Sequence, residues 1–408
     1  MKILLVNKFF FLKGGAETSF FDTAEILQAN GHKVVFFSMM HLENLDSLYS
    51  KYFVSRIDFE NISSFIHKIK ASGRILYSLE ARKKLEELMK KEKPDITHLN
   101  NIHHQISPSI LHTLKKYNLP IVMTLHDYKI VCPVYTMFSK GRTCEKCKGR
   151  KYYNCVLMRC CKDSYLKSFL NTLEMYLHHS ILHIYDLVDV FISPSKFLKD
   201  KIVEMGFNAK VFHLPNFINV NDFIPSYTWN ENTIVYFGRL SYEKGLVTLL
   251  SALKGLDIKC KIIGDGSLKE SLKLKVKSEK IHNIEFLGYK FGDELRNEIK
   301  SSACVVLPSN WYENNPRAIL EAFALGKPVI GSRIGGIPEL VKDYKTGLTF
   351  EPGNPNDLRE KILYLFNNLD KMIEFGKNAR KFVEKNFNPE KYYQELMKIY
   401  RIAIEKHE

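Results

Sequence analysis

Along this chain, short apolar runs alternate with longer stretches in which apolar residues recur every three or four positions. Lys2–Val6, Lys33–Phe37, Asp95–Leu99, Ile121–Leu125 and Val188–Ile192 read as buried strands. Between them the helical period predicts a helix opened by Gly14-Gly15 and running to about Asn30. Others are predicted over Glu80–Lys91, near Ser107–Lys116 and from near Ser195. The pattern pauses around Leu214–Asn219, and Pro225–Asn232 has a linker's composition. It restarts with strands at Thr233–Phe237, Lys259–Ile263, Ile284–Leu287, Cys304–Leu307 and Pro328–Ile330, and helices after Gly245, Ser267, Asp293 and Pro316. Such alternation predicts parallel sheets covered by helices on both faces. The expectation is an α/β chain of two doubly wound, Rossmann-like domains facing a central cleft. They are placed at 1–213 and 214–388, with a last helix at 389–408 that packs back on the first domain.

A chain of 408 residues is long enough for two separate cores. Met1-Lys-Ile-Leu-Leu-Val6 is apolar but too short for a secretory leader and lacks a small-residue cleavage site. No uncharged run is long enough to span a bilayer. A soluble, cytoplasmic protein is expected.

Chemistry concentrates in the second half. Glu313-Asn-Asn-Pro-Arg-Ala-Ile-Leu-Glu321 sets two carboxylates around a helix start, with Pro316 at the boundary, where its missing N–H costs nothing. Glu313 then belongs to a loop and Glu321 to the helix, so the pair can reach different parts of one elongated ligand. In Phe237-Gly238-Arg239-Leu-Ser-Tyr-Glu-Lys244-Gly245, a strand end is followed by two cations and a helix start. That is a site for a doubly charged phosphate leaving group. Gly264-Asp-Gly266 is a second tight turn after a strand, and Gly335-Gly336 offers backbone N–H groups before Ile337-Pro-Glu339. Neither Gly14-Gly15 nor Gly264-Asp-Gly266 completes a dinucleotide fingerprint.

Taken together, the Gly-Arg-x4-Lys-Gly loop, the E-x7-E segment, the Gly14-Gly15 loop and Gly335-Gly336-x-Pro-Glu339 resemble the family 4 retaining glycosyltransferases of GT-B fold. The resemblance covers essentially the whole chain. It implies a nucleoside diphosphate-sugar donor, UDP-linked before GDP-linked, bound by the second domain, and an acceptor bound by the first. Arg239 and Lys244 would hold the diphosphate, Glu321 the ribose hydroxyls and Glu313 the donor sugar. Gly14, Gly15, Gly238, Gly264, Asn314, Asn315, Pro316 and Leu320 would complete the donor site. The asparagines stand where the family often has small residues, which leaves the donor sugar open. His126, at the end of the strand Ile121–Leu125, would line the cleft near the sugar as a hydrogen-bonding, electrostatic residue. His103 and His104, after another strand, are candidate acceptor contacts. The resemblance also implies bacterial surface polysaccharide assembly.

The formal charge is +15, and six basic residues stand against one acid between Lys140 and Lys151. Nucleic acid, an anionic membrane surface, phosphorylated substrates or simple solvation would each account for such an excess. Six of the eight cysteines fall between Cys132 and Cys161. The Cys144-x2-Cys147 pair suits a structural zinc completed by Cys132 and by Cys160, Cys155 or Cys161, while reduced thiols packing an insertion at about 132–161 are the plainer alternative. From Tyr165 to Leu187 an apolar stripe at helical spacing suggests a core or interdomain helix before an interfacial membrane contact.

The reading that joins these features is transfer of a sugar to a glycan or lipid-linked acceptor, with no cofactor for the chemistry. It includes peripheral contact with an anionic membrane on the inner face of the cell membrane. The rivals are a nucleotide-sugar epimerase or sugar phosphorylase on the same fold. A basic zinc-knuckle nucleic-acid binder would leave both carboxylates unexplained, so nucleic acid is not an expected partner.

Overall fold

A computed structural model describes residues 1–58, 65–230 and 232–408, with backbone alone for 65–69. One residue of the expected linker, Glu231, lies outside the described residues. The chain forms two compact units.

The first unit comprises Met1–Thr136, Glu145–Leu214 and Tyr393–Glu408. Its strands are β1 (Lys2–Val6), β2 (Lys33–Phe37), β3 (Ile96–Leu99) and β4 (Ile121–Thr124). Between Thr136 and Glu145 the chain forms the two-residue strands β5 (Phe138–Ser139) and β6 (Arg142–Thr143), before β7 (Val190–Ser193) and β8 (Val211–His213) return to the sheet. The sheet is parallel, in the order β2-β1-β3-β4-β7-β8. Its central strands are almost wholly buried, which is why β1 and β4 read as apolar runs, whereas β3 also buries the polar Thr97 and His98. The last helix, Pro389–Ile404, gives this core Leu396, Ile399, Tyr400 and Ala403. Within it, the Tyr400 hydroxyl meets Nδ1 of buried His98 at 2.8 Å.

The second unit comprises Met137–Cys144 and Pro215–Tyr392. Its six strands are β9 (Thr233–Phe237), β10 (Lys259–Ile263), β11 (Ile284–Gly288), β12 (Cys304–Leu307), β13 (Val329–Ser332) and β14 (Gly347–Phe350). They form a parallel sheet in the order β11-β10-β9-β12-β13-β14. The order reverses at the β9–β12 pair, the switch point beside which ligands bind in open α/β sheets.

Two expectations need correction. The cysteine-rich segment is not one insertion in the first unit, because the β5–β6 hairpin groups with the second. There Phe138 meets Tyr242 with ring centroids 6.2 Å apart. The helix Tyr165–Tyr176 does not bury its apolar stripe: Leu166 is 78% and Phe169 55% exposed, while Ser168, Asn171, Thr172 and Glu174 face inward.

Candidate active site

The loop after β9 and the loop after β12 lie side by side at the switch point. The backbone N–H of Asn310 donates to the Glu243 carbonyl at 2.8 Å. Gly245 makes this approach possible. Its φ is +68°, and a Cβ there would stand 1.8 Å from the Pro308 carbonyl oxygen. The two loops thereby bring Lys244 to Glu313, Nζ to Oε1, at 2.7 Å. The Ser309 hydroxyl donates to the same oxygen at 2.6 Å. The Lys244 ammonium also sits 5.1 Å from the Trp311 ring centroid. Burial alone would raise the Glu313 carboxyl, but the Lys244 charge and the hydrogen bonds from Lys244 and Ser309 outweigh it and hold it below its usual range. Glu313 is thus a buried, ionised carboxylate.

Gly335 and Gly336 close on the same loop. The Gly336 N–H donates to the Glu313 carbonyl at 2.7 Å. A Cβ on Gly335, whose φ is +60°, would fall 2.4 Å from that oxygen. Pro316 caps the helix Arg317–Ala324, on which Glu321 accepts from Arg317 Nε at 3.2 Å, one turn away. Leu320 is part of the core under that helix. Gly238 and exposed Arg239 follow β9, and the Arg239 carbonyl accepts from the Tyr236 hydroxyl at 2.8 Å. Gly264 packs against the Gly238 carbonyl. Arg239, Lys244, Glu313 and Glu321 therefore all belong to the strand ends and helix starts of one unit. Sequence reasoning missed Ser309 and Trp311, although a serine four residues before a loop carboxylate was the available signal. It also missed Asn310, whose buried Oδ1, like that of the expected Asn315, has no hydrogen-bond partner among the described residues.

In the first unit, Gly14 and Gly15 open the helix Gly15–Ala29. His126 follows β4, and its Nε2 meets Asn100 Oδ1 at 2.8 Å. Burial, and secondarily the Lys8 charge, push its pKa down to about 4, so the ring is neutral at pH 7. His104 meets Glu174 Oε2 at 3.2 Å, and Lys129 reaches the same oxygen at 2.7 Å. His103 Nδ1 lies 3.4 Å from the Tyr185 hydroxyl.

None of the eight cysteines is in a disulfide. Cys132, Cys147 and Cys155 are buried, and the backbone N–H of Cys160 donates to the Cys155 carbonyl at 3.0 Å. Cys144 ends the hairpin segment of the second unit, and Cys161 lies with Cys160 in the first. Among the described residues no three histidine, cysteine, aspartate or glutamate side chains are grouped so as to hold a metal ion. A hydrogen bond with the Cys160 thiol, then burial and the neighbouring Cys160, Cys132 and Cys147 thiols, push the Cys155 thiol up, so these four side chains lie within electrostatic reach of one another.

Residues 13–222 match the family described as Glycosyltransferase Family 4, and residues 221–382 match Glycosyl transferases group 1. The chain belongs to glycosyltransferase family 4. An uncharacterised glycosyltransferase of Methanocaldococcus jannaschii is 34% identical over 212 residues, which are 52% of this chain and 59% of that protein. The chain thus spans about three fifths of that relative's length. A protein from the cps region of Klebsiella pneumoniae is 30% identical over 354 residues, covering 83% of this chain and 87% of its own. Among solved structures, HepE of Anabaena, in complex with UDP and glucose, aligns with a TM-score of 0.70 at 17% identity, covering 98% of this chain and 99% of that one. The glycosyltransferase thus has the GT-B fold of two Rossmann-like domains.

Proposed function

We propose that this glycosyltransferase moves a sugar from a nucleoside diphosphate, UDP before GDP, to a glycan or lipid-linked acceptor with retention at the anomeric carbon, in surface polysaccharide biosynthesis. The observation that carries the reading is the Lys244 ammonium paired with the buried Glu313 carboxylate at the sheet's switch point: Lys244 lies in the loop that also carries Arg239, and Glu313 just before the helix bearing Glu321. The cps-region relative and the UDP held by HepE are consistent with it.

In this reading Arg239 and Lys244 receive the diphosphate, and Glu321 accepts from the ribose hydroxyls. Glu313, ionised and fixed by two donors, accepts from hydroxyls of the donor sugar. Asn310 Oδ1 and Asn315 Oδ1 are acceptors that sugar hydroxyls would satisfy. The bond from C1 to the phosphate oxygen breaks, and its electron pair leaves with the nucleoside diphosphate. The acceptor oxygen bonds to C1 on the same face, and its proton passes to the departing phosphate. The cations and backbone N–H groups stabilise the charge that develops there, a role in which one donor is worth about 3 kcal/mol. Chelators should leave the rate nearly intact, and strict dependence on added magnesium or manganese would reject this assignment.

The two carboxylates separate the roles. Glu321→Gln should weaken UDP binding, measured by calorimetry, because a charged acceptor becomes neutral. Glu313→Gln should lower kcat more than it raises donor KM. If both variants bind UDP and turn over like the parent, the pocket is assigned wrongly.

A further inference from the structure

The helix Tyr165–Tyr176 is inside out. Its inward side carries Ser168, Asn171, Thr172 and Glu174 with one apolar residue, Met175, and Leu170 is half-buried, while Tyr165, Leu166, Phe169 and Leu173 are 62, 78, 55 and 39% exposed. The inward polar groups are held in place. Glu174, with no exposed surface, binds Lys129 at 2.7 Å, the Thr172 hydroxyl donates to the Tyr152 carbonyl at 3.2 Å, and the Ser168 hydroxyl accepts from the Cys161 N–H at 3.0 Å. Turning the helix to bury its apolar face would take the carboxylate away from Lys129 and leave that buried ammonium unpaired. The exposure is therefore fixed by the core beneath. Leu157, 68% exposed on the neighbouring short helix Asn154–Leu157, extends the apolar surface.

Cations border this face. The first unit's segment from Glu145 to Lys167 holds seven basic and two acidic residues. Lys162 and Lys167 are exposed beside the stripe, and the Arg159 guanidinium lies 5.3 Å from the Tyr165 ring centroid. An exposed apolar helix face flanked by cations suits the boundary between lipid headgroups and acyl chains. A second copy of the chain would bring two such basic segments together, and like charges oppose that pairing. A nucleic acid would neutralise the charge and leave the leucines and phenylalanine in water. No described helix is long and apolar enough to cross a membrane, so contact would be from one side.

We propose that this face, Tyr165 to Leu173 with Leu157 and the basic segment, docks the first unit on an anionic bilayer surface. In the transfer reading this would place the acceptor-side unit where lipid-linked acceptors lie, but the docking rests on the face itself. Near an anionic leaflet each cation contributes about fivefold in affinity, screened by salt, and each large apolar side chain that becomes buried contributes roughly tenfold or more.

The test is co-sedimentation of the full chain with vesicles of phosphatidylcholine containing phosphatidylglycerol. The parent should bind them, release largely in high salt and ignore vesicles of phosphatidylcholine alone. The triple variant Leu166→Ser, Phe169→Ser, Leu173→Ser should bind at least a hundredfold more weakly with an unchanged or higher Tm, since it removes exposed apolar surface. Lys146→Glu, Lys148→Glu and Lys151→Glu together should do the same through charge. Three results would overturn the proposal: a parent that ignores anionic vesicles, a serine variant that binds as the parent does, or a serine variant that converts a dimer to a monomer in light scattering with vesicle binding intact. The vesicle readout needs no turnover, so failure of the transfer reading would leave it standing.

Discussion

Arg239 and Lys244 are two cations of one loop in different energetic positions. Arg239 is exposed, whereas Lys244 neutralises a carboxylate that is 5% exposed. Arg239→Ala should therefore cut transfer by two orders of magnitude or more with little change in Tm. Lys244→Ala should do the same and also destabilise the fold, by about 3 kcal/mol, because it leaves Glu313 buried and unpaired. Denaturant titration beside a kinetic assay separates the two, and equal stability losses would refute the distinction. His126 gives a pH signature. Its folded pKa of about 4 lies below the ordinary 6.5, so between those values the unfolded chain binds the extra proton. Its contribution to stability is complete above the upper value and is lost as pH falls through the window. His126→Gln should flatten that part of the stability curve, read as Tm against pH. At this scale the sequence was legible where spacing alone places a residue, as with Glu313 and Glu321. It was opaque where a tertiary approach decides, as in the meeting of Gly336 with the Glu313 carbonyl.

Strands buried on both faces were readable because nothing in them alternates: β9 and β12 were predicted with the ends they have, as was β10, although its first half alternates Lys259, Cys260 and Lys261. β8 and β14 were missed. Each is short, and β14 opens on a glycine and includes Thr349, which thins its apolar run. The helix Tyr165–Tyr176 failed differently. A 3.6-residue period says that one face is apolar, but not that the apolar face is the buried one. The polar face here earns its burial through Lys129 and His104, from segments distant in sequence. The β9 and β12 loops supply a test of element packing. Gly245→Ala combines a left-handed backbone with a clash against Pro308, so it should cost at least about 2 kcal/mol of stability and weaken UDP binding. Parent-like values of both would show that the loops do not need their close approach.

For the whole molecule, order along the chain and order in space differ. The first unit takes its final buried side chains, Leu396, Ile399, Tyr400 and Ala403, from a helix that follows the entire second unit. Burying one large apolar side chain is worth about 1.5–3 kcal/mol. A chain ending at Asn388 should therefore lose the first unit's cooperative unfolding while the second still binds UDP, as measured by proteolysis and calorimetry. Intact protection of the first unit would show the helix to be dispensable. Domains usually fold in the order in which they are synthesised. If the truncated chain behaves as expected, this chain reverses that order on the ribosome: the half begun first waits, its His98 without the Tyr400 hydroxyl, until the other half has been made.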